Sequence, residues 1–290
     1  MIKDVLENRL KEYALANAME QENALTEIIQ HYVLVSLSRA KLFSLAAFHG
    51  GTCMRILYGM NRFSEDLDFA LHVPAPGFDW CPYLRRIMED GAAEGMHFEI
   101  QDRNQASTAV RKVFIKTDSI GQVLNVRLPY GRHTAHKIRI KLEVDTNPPA
   151  GARCETRFMT FPMTAAITTM DLPSSFGSKM HALLCREYTK GRDWYDFLWY
   201  ASRKIVPNLD LLTHALDQQG PWAGKGIHVT PAWLTAALGK RIGEIDWPAA
   251  RQDVARFVMT REQAHLDLWS EELFQQNVTT LSEGLLPRQE

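Results

Sequence analysis

An α+β fold, a mixed sheet flanked by helices and followed by a helical C-terminal domain, is predicted by three features of the sequence. Ser64–Leu71 and Lys137–Asp145 alternate apolar and polar residues with the period of a β-strand. Helical spacing of apolar residues runs through the first forty residues and again beyond Pro173. Between these regions lies Asn147-Pro148-Pro149-Ala150-Gly151, where consecutive prolines cannot continue a sheet ladder. The expected domains are residues 1–158, carrying the sheet and the N-terminal helices, and residues 159–290.

In chain order, Val5, Leu6, Leu10, Tyr13 and Ala14 fall on one face of a helix over Ile2–Ala16. Leu25, Ile28, Ile29, Tyr32 and Val33 do the same for a helix over Gln21–Ser38. Phe43–Phe48 is an apolar run ending in Gly50-Gly51, and Thr52–Leu57 opens a helix. Ser64–Leu71 is a strand, His72–Trp80 a Pro/Gly-rich loop and Pro82–Gly95 a helix. Strand-like runs follow at Phe98–Ile100, Val110–Lys116 and Val123–Leu128, before the fully alternating Lys137–Asp145. In the C-terminal part helices are expected from Ser178 to Arg186, from Arg192 onward, and over Leu209–Gln218, Pro231–Ile242, Pro248–Met259 and Arg261–Gln276.

Two stretches carry the chemistry. A Gly50-Gly51 pair lets backbone approach a ligand with no Cβ in the way, and a helix starting at Thr52 turns its free N–H groups toward that turn, as an anion site requires. Asp66 and Asp68 project from one strand face, where they repel each other unless a cation lies between them. Oxygen donors at that spacing suit Mg²⁺ or Mn²⁺, completed by water and substrate phosphate. A phosphate-cradling turn beside a metal-holding carboxylate pair is the equipment for nucleotidyl transfer from a nucleoside triphosphate. If Lys137–Asp145 lies beside the Asp66 strand, Glu143 or Asp145 completes the metal site. Farther on, Lys179 and Arg186 are two turns apart on one helix face, and Asp193 and Asp196 are neighbours at i, i+3. Charges set among Leu183, Leu184, Trp194 and Phe197 are costly to bury without a partner. They form either an internal ion-pair network, such as Arg192 with Asp196, or a group in which Lys179 meets phosphate and Asp193 or Asp196 orients it.

Across its 290 residues the chain has 33 Lys and Arg against 34 Asp and Glu, a net charge of −1 that predicts no polyanion partner. The distribution says more, because Arg103–Leu142 holds nine Lys or Arg and the single acid Asp118. Such a window is either a solvated sheet face or a surface for triphosphate or RNA backbone. Cys53, Cys81, Cys154 and Cys185 are isolated, which points to reduced thiols rather than a zinc site or disulfide framework. The start at Met1-Ile2-Lys3-Asp4 has no basic-then-apolar pattern and no window reaches the length of a membrane span, so a cytoplasmic protein without a membrane partner is expected.

The string GGTCMRILYGMNRFSEDLDF resembles the signature of the AbiEii/AbiGii-type nucleotidyltransferase toxins, a branch of the DNA polymerase β-like nucleotidyltransferase superfamily. Arg55, Tyr58-Gly59, Arg62 and Ser64 match this branch, although the gap from Gly51 to Asp66 is longer than in many members of the superfamily. Lys141-Leu142-Glu143-Val144 resembles the family's third motif, which favours Glu143 over Asp145 as a metal ligand. The K-x-x-A-L-x-x-R…R-D-x-x-D arrangement from Lys179 to Asp196 is similar to its C-terminal motif. The resemblance spans Gly50 to Asp196 and implies a polymerase β-like sheet with the helical domain as the other wall of a cleft. It implies Asp66, Asp68, Glu143, Lys179, Asp193 and Asp196 as catalytic residues. Gly50, Gly51, Thr52, Arg55, Arg62, Ser64 and Arg186 then bind the nucleotide. It further implies a toxin of a toxin–antitoxin or phage-defence system, acting on an RNA acceptor such as the tRNA 3′ end and paired with a cognate antitoxin. The rival expectations are transfer to a protein or small molecule, and a non-catalytic nucleotide- or RNA-binding regulator. A kinase-like transferase finds no Walker or kinase motif.

Overall fold

The structure, a computed structural model, describes residues 2–101, 119–127 and 138–285. The chain divides into two compact units, Met1–Pro148 with Glu155–Thr169, and Pro149–Cys154 with Met170–Glu290.

The first unit is built on helix α2 (Ala18–Arg39), preceded by α1 (Ile2–Lys11). Asn17 caps α2 by accepting from the Glu20 N–H at 2.9 Å, and the Glu20 carboxylate accepts in return from the Ala16 N–H at 2.8 Å. From Ile28 to Leu37 every residue of α2 is buried, so this helix is a core element rather than a one-sided surface helix. Strand β1 (Ala46–His49) leads directly into α3 (Gly50–Tyr58), and β2 (Asp66–Leu71) returns antiparallel to β1. Then come α4 (Cys81–Ala93), β3 (His97–Gln101), β4 (Ser119–Arg127) and β5 (Ile138–Asp145), which lies parallel to β2. A parallel neighbour requires a long crossover, and the chain between β2 and β5 provides it. The expected strand at Val110–Lys116 lies outside the described residues, as does most of the basic Arg103–Leu142 window.

Strands β6 (Cys154–Met159) and β7 (Ala165–Met170) have no counterpart in the sequence-based expectation. Strand β7 pairs in parallel with β1, extending the sheet to the order β3-β4-β5-β2-β1-β7-β6. The prolines at 148 and 149 end β5, yet the chain afterwards re-enters the same sheet. On the core face Ile140, Leu142, Val144 and Leu67 are fully buried, each worth about 1.5–3 kcal/mol relative to exposure. Phe43, Phe48 and Trp80 gather their rings around Phe69.

The second unit is helical: α5 (Leu172–Cys185), α6 (Gly191–Ser202), α7 (Leu209–Gln218), α8 (Pro231–Gly243), α9 (Trp247–Ala255) and α10 (Glu271–Leu285). Asp171, Asn208, Thr230 and Asp246 accept N-terminal amides and fix where four of these helices begin. One helix was expected over Arg261–Gln276. A 3₁₀ segment (Thr260–Leu268) and then α10 stand there instead, because the Ser270 hydroxyl accepts from the Leu273 N–H at 3.2 Å and opens a new helix. Trp247 stacks on Phe274 with ring centroids 4.0 Å apart and anchors this core.

Candidate active site

The β1–α3 junction explains the glycine pair. Gly50 has φ +79°, and a Cβ there would sit 2.7 Å from Asp68 Oδ2. A Cβ on Gly51 would sit 2.5 Å from an Arg62 guanidinium nitrogen and 3.0 Å from the Ser64 hydroxyl. The two glycines therefore let Asp68 on one side and Arg62 and Ser64 on the other close onto the first turn of α3. His49 at the N-cap makes no side-chain cap, so the helix N-terminus keeps the anion-attracting character of its leading amides. Thr52 is fully buried and its hydroxyl donates to the Asp66 carbonyl, tying α3 to the start of β2.

The loop feeding β2 is held from behind. Gln30 of α2, 1% exposed, donates its amide to the carbonyls of both Ser64 and Glu65 at 3.0 Å. Arg62 is buried, with Nη1 donating to the Phe63 carbonyl at 2.9 Å. Arg55 serves a neighbouring purpose: its Nε donates to Glu27 at 2.6 Å, its Nη1 to the Met60 carbonyl at 2.9 Å, and its guanidinium covers the Phe63 ring. Tyr13 donates to the other Glu27 oxygen at 2.7 Å. The guanidinium of Arg55 thus joins α3 to α2 and to the turn after α3.

Register then places the acids. Asp68 lies opposite His49 on β1 and Glu143 on β5, and Asp66 lies opposite Lys141. Facing residues share a sheet side, so Asp66, Asp68, Lys141 and Glu143 occupy one face. Asp66 and Asp68 are half-buried. Glu143 forms an ion pair with Lys141. Burial alone would lower the Lys141 ammonium, but Asp66, Glu143 and Asp68 together hold it above its usual value. Asp145 faces Ala70, two residues farther along, and accepts from the Asn147 N–H at 3.1 Å.

Among the described residues, no three carboxylate, imidazole or thiol side chains converge tightly enough to hold a metal ion between them. Glu143 is turned to Lys141 rather than to Asp66 and Asp68. A hard cation such as Mg²⁺ takes one or two protein carboxylates and completes its shell with water and phosphate. The Asp66–Asp68 pair, with Glu143 on the next strand, is a donor set of that kind and fits such an ion.

A second charged group lies within the helical unit. Lys179 Nζ bridges Asp193 at 2.7 Å and Asp196 at 2.8 Å, and Arg186 Nε approaches Asp193 at 3.2 Å. Asp196 is fully buried and Asp193 nearly so. Burial would raise the Asp193 carboxyl, but Lys179, Arg186 and Lys190 overcome it and hold it well below its usual range. Arg192 lies over the Phe257 ring at 4.0 Å.

Sequence reasoning passed over Lys141, Gln30 and Glu27. A lysine on an alternating strand reads as solvated, and a glutamine inside a helix carries no motif. Only the register and the packing of α2 give them roles.

Cys53, Cys81, Cys154 and Cys185 are free thiols, and Cys53, buried against the Thr169 hydroxyl at 2.8 Å, is pushed up to about 12 by burial, so it stays protonated. No helix among the described residues is long and apolar enough to cross a membrane.

A mixed sheet with paired acids beside an open helix N-terminus defines the class: the protein is a nucleotidyltransferase. The family model for the nucleotidyl transferase AbiEii toxin of type IV toxin–antitoxin systems matches residues 32–274, and the chain belongs to that family. Among solved structures, JHP933 from Helicobacter pylori is similar at 16% identity with a TM-score of 0.50, over 93% of this chain and 92% of that chain, a likeness of fold alone. A candidate nucleotidyltransferase from H. pylori is similar at 18% identity with a TM-score of 0.49, over 93% of this chain and 95% of that chain. No curated protein matches the chain.

Proposed function

We propose that the chain transfers a nucleoside monophosphate from a nucleoside triphosphate to an RNA acceptor, the tRNA 3′ end being the first candidate, with Mg²⁺ or Mn²⁺ held by Asp66 and Asp68 and joined by Glu143. The observation that carries this reading is the register of Asp68 between the Gly50 turn and Glu143. The bound cation would supply charge neutralisation for the phosphoryl group under attack and for the departing pyrophosphate.

The chain's own residues divide the remaining work. The first turn of α3 at Gly50-Gly51-Thr52 presents backbone amides to phosphate oxygens, and Arg62 and Ser64, packed against Gly51, add a fixed cation and a hydroxyl. Gln30 keeps that loop in place through two carbonyls. Lys141 neutralises the acid face when no nucleotide is present. In the helical unit Lys179 is the candidate for contacting phosphate, with Asp193 and Asp196 orienting its ammonium and Arg186 supporting Asp193. The acceptor hydroxyl attacks the α-phosphorus and pyrophosphate leaves. A cognate antitoxin is supported by the toxin–antitoxin family, and an RNA acceptor by the basic Arg103–Leu142 window.

The test is incubation with Mg²⁺, total tRNA and each labelled nucleoside triphosphate in turn, beside Asp68→Ala. Label entering tRNA only with Asp68 intact is the expected result. Absence of label from tRNA with all four nucleotides, in folded protein, overturns the RNA acceptor.

A further inference from the structure

We propose that a recess in the helical unit, walled by Arg186, Lys190 and Arg241, binds a single phosphate group. The recess is small and is lined also by Tyr188, Thr189 and Asp193. Its three cations come from the two ends of the α5–α6 loop and from α8. Arg186 follows the last residue of α5, Lys190 precedes the first of α6, and Arg241 lies in the last turn of α8. Arg241 is fixed there because its Nη2 donates to the Arg186 carbonyl at 2.9 Å.

Like charges gathered in a half-buried place repel each other unless acids offset them. The acids here are already committed. Asp193 is shared by Lys179 and Arg186, and Glu244 pairs with Arg241 at 3.3 Å from a half-exposed position. Among the described residues, the Lys190 ammonium has no hydrogen bond or ion pair. Burial, then the like charges of Arg192, Arg186 and Lys179, outweigh the attraction of Asp193 and push Lys190 down to about 8. An ammonium so placed gains from an anion, and a phosphate would hold its proton to higher pH. The amide at the α6 N-terminus is not the donor, since Asp253 accepts from the Gly191 N–H at 2.8 Å. At the mouth stands Tyr188, 42% exposed, its hydroxyl accepting from Arg186 Nη1 at 3.2 Å. An exposed ring beside a phosphate pocket suits a stacked base. The shared chemistry is therefore a nucleotide phosphate, supplied either by the tail of a nucleoside triphosphate or by a nucleic-acid strand.

This site uses none of the sheet carboxylates, so its failure would leave nucleotidyl transfer standing. The test uses the full chain in EDTA, with no turnover. Binding of a fluorescein-labelled 5′-phosphorylated oligoribonucleotide and of ATP is measured for wild type, Lys190→Met and Lys190→Arg. Lys190→Met should weaken at least one probe about 10-fold, the scale of one charge-assisted hydrogen bond, while Lys190→Arg retains it. Loss for the oligonucleotide alone assigns the recess to a strand, and loss for ATP alone assigns it to the triphosphate. Between pH 7 and 9 wild-type binding should weaken as Lys190 loses its proton, and binding by Lys190→Arg should not. Melting of Lys190→Met should be unchanged or improved, because an unpaired half-buried cation is removed. Unchanged affinity for both probes in folded Lys190→Met overturns the proposal.

Discussion

The two charged groups of this protein are imbalanced in opposite directions. On the sheet, Asp66, Asp68 and Glu143 act together on Lys141. In the helical unit, Lys179, Arg186 and Lys190 gather around Asp193, and Lys179 also pairs with Asp196. An excess of acid invites a cation and an excess of base invites an anion. The groups also differ in how closed they are. The sheet acids are half-buried and approachable, whereas Asp193 and Asp196 are sealed, so the former can exchange partners and the latter mainly hold Lys179 in one orientation.

Breaking the sealed group should cost most. Lys179→Met leaves two buried carboxylates without their shared cation and should lower stability by about 3–5 kcal/mol, read by denaturant unfolding. If the loss is under about 1 kcal/mol, the network is not closed as described. Gly50→Ala comes next. It forces a side chain into a left-handed backbone and against Asp68, costing about 1–3 kcal/mol and slowing transfer on the order of 100-fold through displacement of Asp68. Wild-type rates in this variant would mean that the approach of Asp68 to Gly50 is incidental.

Lys141→Met should have a smaller effect. Both it and Glu143 keep 25% of their side chains exposed, so the pair is worth about 1 kcal/mol or less. Melting in EDTA should fall slightly, and added Mg²⁺ should stabilise the variant more than the wild type. The smallest effect is one of pH. The Asp193 carboxyl is held low in the folded chain, so as pH falls the unfolded chain takes up its proton first. The stability Asp193 contributes is full above the ordinary Asp value of about 4 and drains below it. Acid unfolding monitored in Lys179→Met should show a shallower dependence in that range.

Much of this arrangement is legible in the sequence because it depends on short-range rules. Gly50-Gly51, the alternation through Asp66 and Asp68, and the alternation through Glu143 are local patterns, and the structure places the corresponding strands side by side. The charges spaced among Leu183, Trp194 and Phe197 mark their region in the sequence, but the pairing of Lys179 with Asp193 and Asp196 is set by the packing of α5 on α6. What escaped depends on distant partners. Glu27 meets Arg55 across 28 positions, and Gln30 meets the Ser64 and Glu65 carbonyls across 34 and 35. No local pattern announces such pairs. Strands β6 and β7 escaped because they follow a double proline that ends β5, and only pairing with β1 shows that the sheet continues. Lys141 escaped because one charged residue among five on an alternating strand carries no mark of whether it faces water or acids.

The most direct test of the opposed imbalance is Mn²⁺ binding by the full chain, followed by electron paramagnetic resonance in the presence of a non-hydrolysable nucleoside triphosphate. Wild type should take up the ion, Lys141→Met should take it up more tightly, and Asp68→Ala should lose nearly all of that uptake while still melting as a folded protein. Equal uptake by wild type and Asp68→Ala would contradict the account, because the acids of the sheet would then not be what draws the cation.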